Sequence, residues 1–386
     1  MLANTLELKN IGPIGQAVVT FGDLTVLVGP QATGKSILLQ FLKLLLDTGP
    51  VFRTLRKHGL DWDAWLEDFL ELYLGEGTGR IYKPGKSRIR WRSAEVRLED
   101  LVRSKKWRQT ERCFLIPAQR VLTLGREGWL RPFTDYRADD PFSVRDFSEK
   151  LRLMMERGFG GEALHPHPKR LKNEIKGLLS ANIFAGFELI LEKVGPQKKL
   201  LLKGKDGTRL PFMVWSAGQR EFVPLLLGLY WLLPPGAARR RAAIRWVMIE
   251  ELEMGLHPRA ISTMLLIVLD LLWRGYRVCL STHSPHVLDL VWALRNLREH
   301  GAGAGEVLEV LGINKTAGLR PVAEAALKKK LKVYYFDPAT HRTQDISALD
   351  PGSKLSGEAH WGGLIELSGR AAEVVAGAVA AESTNL

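Results

Sequence analysis

Cysteine is scarce: Cys113 and Cys279 are the two in 386 residues. A disulfide-stapled scaffold is excluded, and a reducing, cytoplasmic compartment is expected. The opening MLANTLELKN has no basic segment followed by an apolar core, so no signal peptide is read there. Long hydrophobic runs are missing too. The stretch from Phe222 to Ala238 carries no charge, but Pro224, Pro234 and Pro235 interrupt it, and it falls short of the ~20 apolar residues of a spanning helix. A buried helix ending at the proline pair is expected, with no membrane partner. Heptads are not sustained between 50 and 210, which excludes a long coiled coil. C-x-x-C pairs and H-E-x-x-H helices are absent, and the one close histidine pair, His165 and His167, reads as a loop.

Acidic residues are short as well, 42 Asp+Glu against 55 Lys+Arg, for a formal net charge of +13. The resulting pI near 9.7 points to a polyanionic partner, nucleic acid first. With 46% hydrophobic and 25% charged residues, the composition is globular and excludes a mostly disordered chain. The length allows about two domains.

What is present begins with Leu24 to Val28, a short apolar, β-branched run that reads as a buried strand. Directly after it, Gly29-Pro-Gln-Ala-Thr-Gly34-Lys35-Ser36 fits G-x-x-x-x-G-K-[ST], and Ile37 to Leu46 is an apolar run of helical length. Strand, glycine loop and helix are the context this phosphate-binding motif needs. Gly29 and Gly34 permit close backbone approach. The N–H groups of the loop, through Gln31, Ala32 and Thr33 to Ile37, can then face phosphate oxygens. Lys35 supplies a point charge for the β- and γ-phosphates, and Ser36 a hydroxyl for Mg²⁺.

Over 200 residues later a second buried strand, Ile244 to Ile249, ends in Glu250-Glu251. A carboxylate at a strand end suits the metal, and a neighbouring one suits the attacking water; Glu250 takes the first role and Glu251 the second. Next come Glu253, Gly255-Leu-His-Pro258 and a helix from about Arg259 to Trp273. A third strand, Arg277 to Ser281, runs into Thr282-His283-Ser284-Pro285, with a helix expected from Pro285. His283 lies just past a strand end, where open α/β sheets bind ligands and where it could sense a γ-phosphate.

In this order the pieces resemble the ABC-type ATPase superfamily, in its soluble branch of SMC-like and RecF-like heads and OLD-type ATPase domains. Leu6 to Ile14 and Thr20 to Gly29 are similar to the two strands that precede the loop in that family. Ile249-Glu-Glu-Leu-Glu253 with Leu256-His-Pro258 resembles its I-E-E-P-E…L-H-P segment, and Leu280 to Pro285 its switch-histidine motif. Trp215-Ser216-Ala-Gly218-Gln219 resembles its signature, whose Ser and Gly close over the γ-phosphate bound to the other protomer. Ser216 is equally an N-cap, and the two roles are compatible. Gln119, in the polar pair that ends the strand expected over 111–120, is either the family's Mg²⁺-touching Q-loop glutamine or a surface turn, with Arg120 as an alternative phosphate or interface contact. The sequence departs from the family at Gln31, Glu250 and Leu252, where Asn, Asp and Pro are common. Glu at the metal position recurs in the OLD-like branch.

The resemblance implies an α/β fold: a P-loop NTPase of ABC-ATPase type, with a mixed sheet core, an N-terminal antiparallel β subdomain and a compact inserted helical and β lobe. The expected division is 1–50 and 210–300 as ATPase lobes, 51–209 as the insert, and 301–386 as an extension adding edge strands and helices after a flexible Gly-Ala-Gly-Ala-Gly stretch. It also implies ATP and Mg²⁺ as cofactors, a homodimer closed around ATP, hydrolysis, DNA as a ligand and a separately encoded effector. OLD nucleases carry a D-x-D cluster in a C-terminal TOPRIM domain; none occurs from Gly301 to Leu386. In the insert, Asp61 to Leu74 reads as one amphipathic helix with Trp62, Trp65, Phe69 and Leu70 apolar. Residues Arg80 to Arg112 hold twelve Lys/Arg and four Asp/Glu, interleaved with Trp91 and Trp107. Phosphate contacts with base stacking fit this pattern, and so does a solvated basic face with the tryptophans turned inward.

Overall fold

The computed structural model describes residues 4–376 apart from 105–106, 159–162, 195–196, 235–239, 351–352, 354–355, 360, 367 and 373. Lys105, Lys106 and Pro235, which enter the sequence reading, lie outside the described residues. In chain order the elements are β1 (Thr5–Ile11), β2 (Ile14–Thr20), β3 (Leu24–Val28), α1 (Lys35–Lys57), α2 (Leu66–Leu74), β4 (Arg88–Trp91), β5 (Ala94–Val96), α3 (Leu98–Arg103), β6 (Cys113–Ile116), α4 (Phe142–Gly158), β7 (Ala163–His165), α5 (Asn173–Asn182), β8 (Glu188–Val194), β9 (Gln197–Lys203) and β10 (Arg209–Pro211). They continue with α6 (Ala217–Leu232), β11 (Trp246–Glu250), α7 (Pro258–Trp273), β12 (Arg277–Thr282), α8 (Pro285–Glu299), α9 (Ala304–Val310), α10 (Arg320–Leu327), β13 (Leu331–Asp337) and β14 (Arg342–Asp345).

Ten strands form one mixed sheet in the order β5-β4-β1-β2-β14-β13-β3-β12-β11-β6. The five from β13 to β6 run parallel, while β5, β4, β1 and β2 pair antiparallel. Residues 51–209 supply β4, β5 and β6 to this sheet and β7, β8 and β9 to a second, antiparallel one, β10-β9-β8-β7, whose β10 continues to Pro211. The parallel strands are covered on both sides, so they read as unbroken apolar runs rather than alternating ones. Val26, Val247 and Leu280 face a core shared with α6, α7 and α8. Leu27, Met248 and Cys279 face a second core shared with α1, β1 and β2.

Helix starts follow local chemistry. Ser216 and Gln219 form a reciprocal capping box at α6, His257 accepts from Arg259 N at the start of α7 with Pro258 at its first position, and Pro285 opens α8. Helix α6 ends at Leu232, ahead of the proline pair, and among the described residues no helix is long and apolar enough to cross a membrane.

Four expectations change. The helix expected from Asp61 starts at Leu66, because Asp63 and Ala64 take positive φ and cannot continue a right-handed helix; Trp62, Phe69 and Leu70 are buried, and Trp65 is exposed. His165 belongs to β7, not to a loop. It is fully buried, bonded to Ser180 Oγ at 3.0 Å and Tyr230 Oη at 3.3 Å. Gly303 caps α9, so the glycine stretch is a turn into a helix. The C-terminal strands are not edges: β13 pairs with β3 and β14 with β2, as the fully buried run Val333 to Phe336 requires.

Candidate active site

The site forms where β3, β12 and β11 end side by side. Past Val28 the chain must turn within a tight space. Gly29 has φ +141, and a Cβ there would meet the Phe336 carbonyl oxygen at 2.6 Å; Gly34 has φ +100, and its Cβ would meet Ile14 Cγ1 at 2.5 Å. Only glycine fits either position. Thr33 Oγ1 donates to Pro30 O at 2.8 Å, and Lys35 Nζ donates to the carbonyls of Gly29 and Pro30 at 2.8 and 2.6 Å. The amine thus waits inside its own loop. Burial lowers it to about 8, against the opposing pull of Glu251 and Glu253. Helix α1 begins at Lys35, so its first N–H groups have no intrahelical acceptor and point to the cleft.

That cleft is lined by Pro13, Gln31 to Ile37, Glu251, Ser281 and His283. The structure therefore brings together every expected phosphate-loop residue beyond Gly29 with the second carboxylate and the histidine. Glu250 lies beneath them, 2% exposed. Its Oε2 accepts Ala118 N at 3.1 Å, the Ser36 hydroxyl is its second partner, and its Oε1 is buried without one. Burial pushes its pKa up and Glu251 adds to this, while the two hydrogen bonds oppose it. His283 is pushed down, first by burial and then by Lys35. Its Nε2 stands 3.8 Å from Glu251 Oε1, so the imidazole faces the second carboxyl group.

Glu251 has φ +47, an uncommon conformation for a non-glycine residue that surrounding structure must hold. Its N donates to Ser281 O at 2.9 Å. Arg120 holds the other side. Its guanidinium is fully buried and donates to the carbonyls of Glu250 at 2.9 Å, Glu251 at 3.0 Å and Glu221 at 3.2 Å. With no exposed surface it is neither a phosphate contact nor an interface residue, which corrects the sequence reading. Glu253 was not expected in the site. Its Oε1 accepts Thr282 Oγ1 at 2.8 Å and His283 N at 2.5 Å, so it fixes the histidine loop to the carboxylate turn. The I-E-E-x-E spacing was its only sequence signal.

Other candidates lie outside the cleft lining. Gln119 is exposed; its neighbour Ala118 touches Glu250 instead. Ser216 is exposed at the tip of α6, and the Gln219 amide is engaged with Ser216 N and Ile183 O. Gly218 packs on the carboxylate turn, where a Cβ would meet Gly255 O at 2.7 Å.

The donor set fits Mg²⁺ arriving with a nucleotide. Among the described residues no group of three or more His, Cys, Asp or Glu is placed to hold a metal. One orphaned buried carboxylate oxygen beside a serine hydroxyl leaves the remaining positions to phosphate and water, as Mg²⁺ prefers.

A family described as "AAA domain, putative AbiEii toxin, Type IV TA system" matches residues 125–289, less than half of the chain. No curated protein matches in sequence. Similar solved structures include the SMC head domain from Thermotoga maritima, with 13% identity, TM-score 0.31, and 86% of this chain and 95% of that one covered. An SmcHead bound to the C-winged helix domain of ScpA has 11% identity, TM-score 0.40, and 89% and 97% covered. A dimeric bacterial ABC transporter cassette has 11% identity, TM-score 0.34, and 73% and 89% covered. These likenesses are loose, and the assignment rests on the chain's own motifs and sheet. The family match spans the carboxylate turn and the histidine loop, and the phosphate loop lies beside them on the next strand of one mixed sheet, the strand-end arrangement of an α/β P-loop fold.

Proposed function

We propose that this chain binds and hydrolyses ATP·Mg²⁺ and that two copies close around two nucleotides, each phosphate loop facing the Ser216 signature of the partner subunit. The observation that carries this reading is the convergence of Lys35, Ser36, Glu250, Glu251 and His283 on one strand-end cleft. In it, the loop amides and Lys35 bind the phosphates. Ser36 and Glu250 would hold Mg²⁺, which neutralises charge developing on the phosphates. Glu251 accepts a proton from the attacking water, and His283 contacts the γ-phosphate. Exposure of Ser216 at the N-terminus of a 16-residue helix suits contact with a partner's phosphate.

The ATP cycle acts on or senses DNA in this proposal. The setting is genome maintenance or anti-phage defence with a separate protein effector, in line with the toxin named in the matched family's description. The net charge of +13 supports the DNA element. A second reading is a slow, nucleotide-gated module that controls a protein effector without touching DNA. Glutamate at Glu250, where aspartate is common, favours slow turnover.

The test is ATP turnover and sedimentation of wild type and Glu251→Gln, with and without duplex DNA. An ATP-trapped Glu251→Gln dimer that retains DNA supports the first reading. Monomers that ignore both ATP and DNA overturn the sandwich, and ATP-dependent turnover unaffected by DNA moves the weight to the second reading.

A further inference from the structure

We infer that the end of the central sheet opposite the phosphate loop is a docking surface for the nucleic-acid backbone, built from Arg92, Arg108, Arg112, Arg245 and Arg277. The inference rests on the reading that the chain engages DNA, and adds where it does so.

The phosphate loop follows the C-terminal end of β3. Strands β6, β11 and β12 run parallel to β3, so their first residues lie at the far end of the sheet, roughly 15–20 Å away at ~3.3 Å per residue. All three strands start at an arginine. Arg112 precedes β6, Arg245 precedes β11 and Arg277 opens β12. Arg245 N donates to Arg112 O at 2.8 Å and Arg277 N to Arg245 O at 2.9 Å, which sets the three in a row across adjacent strands.

Arg92 comes in from the end of β4. Its guanidinium lies 5.1 Å from the Trp91 ring and that of Arg277 lies 5.5 Å from the Trp246 ring; the two indoles are 6.4 Å apart. Arg108, Arg112 and Arg277 all lie close enough to act on the charge of Arg92. Among the described residues none of the five forms an ion pair, and their side chains make one hydrogen bond, Arg92 Nε to Asn4 Oδ1 at 2.9 Å. The Asp47 carboxylate that accepts Arg112 N is engaged by Lys43, and clustered cations with no carboxylate paired to their side chains attract anions.

The chemistry favours nucleic acid over an acidic protein. Strand spacing of ~4.8 Å spreads three arginines over roughly 10 Å, a length over which duplex DNA presents about six charges at one per ~1.7 Å. Guanidiniums match phosphate oxygens in bidentate geometry. Trp246 is 4% exposed and Trp91 and Trp107 are half-buried, so a protein partner finds no large apolar centre to bury. Arg245 and Arg277 come from the ATPase half of the sequence, so the patch is not the Arg80 to Arg112 stretch alone.

The test uses full-length protein and a labelled 30-base-pair duplex, with anisotropy from about 50 to 200 mM salt. Arg92→Gln/Arg245→Gln/Arg277→Gln should bind at least ~10-fold more weakly and lose about 2–3 from the slope of log affinity against log salt, at ~0.9 per phosphate contact. It should keep the wild-type melting temperature. A charge-matched control, Arg126→Gln/Lys205→Gln/Lys328→Gln, should stay near wild type. Equal binding by the patch variant, or equal loss in the control, overturns the inference while the DNA reading survives. No duplex binding by wild type at the lowest salt overturns both. Polyglutamate that displaces the duplex at equal charge overturns it in favour of an acidic protein partner.

Discussion

Arg120→Met is the perturbation that bears most directly on how the carboxylate turn is held. The guanidinium donates to the Glu250 and Glu251 carbonyls at 2.9 and 3.0 Å in a fully buried position. A hydrogen bond to a charged group contributes about 1.5–3 kcal/mol, so losing two costs about 3–6 kcal/mol. Methionine fills much of the volume, which limits the cavity contribution. The longer bond to the Glu221 carbonyl, at 3.2 Å, adds to this loss. Against ~5–15 kcal/mol for a folded domain, the variant should fold but denature at clearly lower urea. The local effect should be larger. Glu251 at φ +47 would keep its bond to Ser281 and the local Met254 N to Glu251 O bond, so amides from Glu251 to Met254 should exchange faster than the sheet. Arg120 does not line the cleft, so ATP affinity should stay within about threefold while turnover falls at least tenfold, a split that a merely unfolded fraction cannot produce. Arg120→Lys keeps the charge but loses the fork; it should lose turnover with a smaller stability loss. A stability change under ~1 kcal/mol for Arg120→Met, or affinity and turnover falling together, refutes the reasoning.

Glu251→Gln should lower ATP turnover by a factor of about 10²–10⁴, the usual contribution of a general base; a radiolabelled phosphate-release assay reads it, and near-normal turnover removes Glu251 from that role. Gly218→Ala, which in an ordinary helix would stabilise by ~0.4–1 kcal/mol, should instead cost about 1–3 kcal/mol, because the new Cβ meets Gly255 O at 2.7 Å; a raised denaturation midpoint would show that the turn yields freely. Burial lowers His165 to about 4, below the unfolded value near 6.5. The unfolded chain therefore binds the proton first, and stability should decline as pH drops from about 6.5 to 4, by roughly 2–4 kcal/mol. His165→Gln should flatten that part of the pH profile, measured by urea midpoints, and an unchanged slope would place the acid sensitivity elsewhere.

The local patterns were legible because local rules govern them. Gly29 to Ser36 has one low-strain backbone solution between a strand and a helix, and a run such as Trp246 to Glu250 must be buried on both faces. The start of α2 was misread because Asp63 and Ala64 leave the helical region with no glycine or proline to mark it. The C-terminal strands were placed at an edge because strand order is a long-range property. Val333 to Phe336 carried the cue to an interior position, four apolar residues without alternation. Arg120 was unreadable for a different reason. A buried arginine and an exposed one look alike in sequence, and its acceptors are backbone carbonyls some 130 residues away.

Those carbonyls change how the site must work as a unit. Two separate segments bond to the turn that carries Glu250 and Glu251: the loop after β6, by Ala118 N to the buried carboxylate and Arg120 to both carbonyls, and the Thr282-His283 loop through Glu253. Helix α6, with Ser216 at its tip, reaches the same turn twice, by Glu221 O on Arg120 and by Gly218 against Gly255. Packed contacts of this kind do not deform continuously. A displacement of α6 along its axis must therefore either break the Arg120 bond or carry the carboxylate turn with it. Ser216 and the second carboxylate are thus mechanically linked within one chain, and on the proposed closure the order of events can be read from exchange at the Glu251 amide as Ser216 becomes protected.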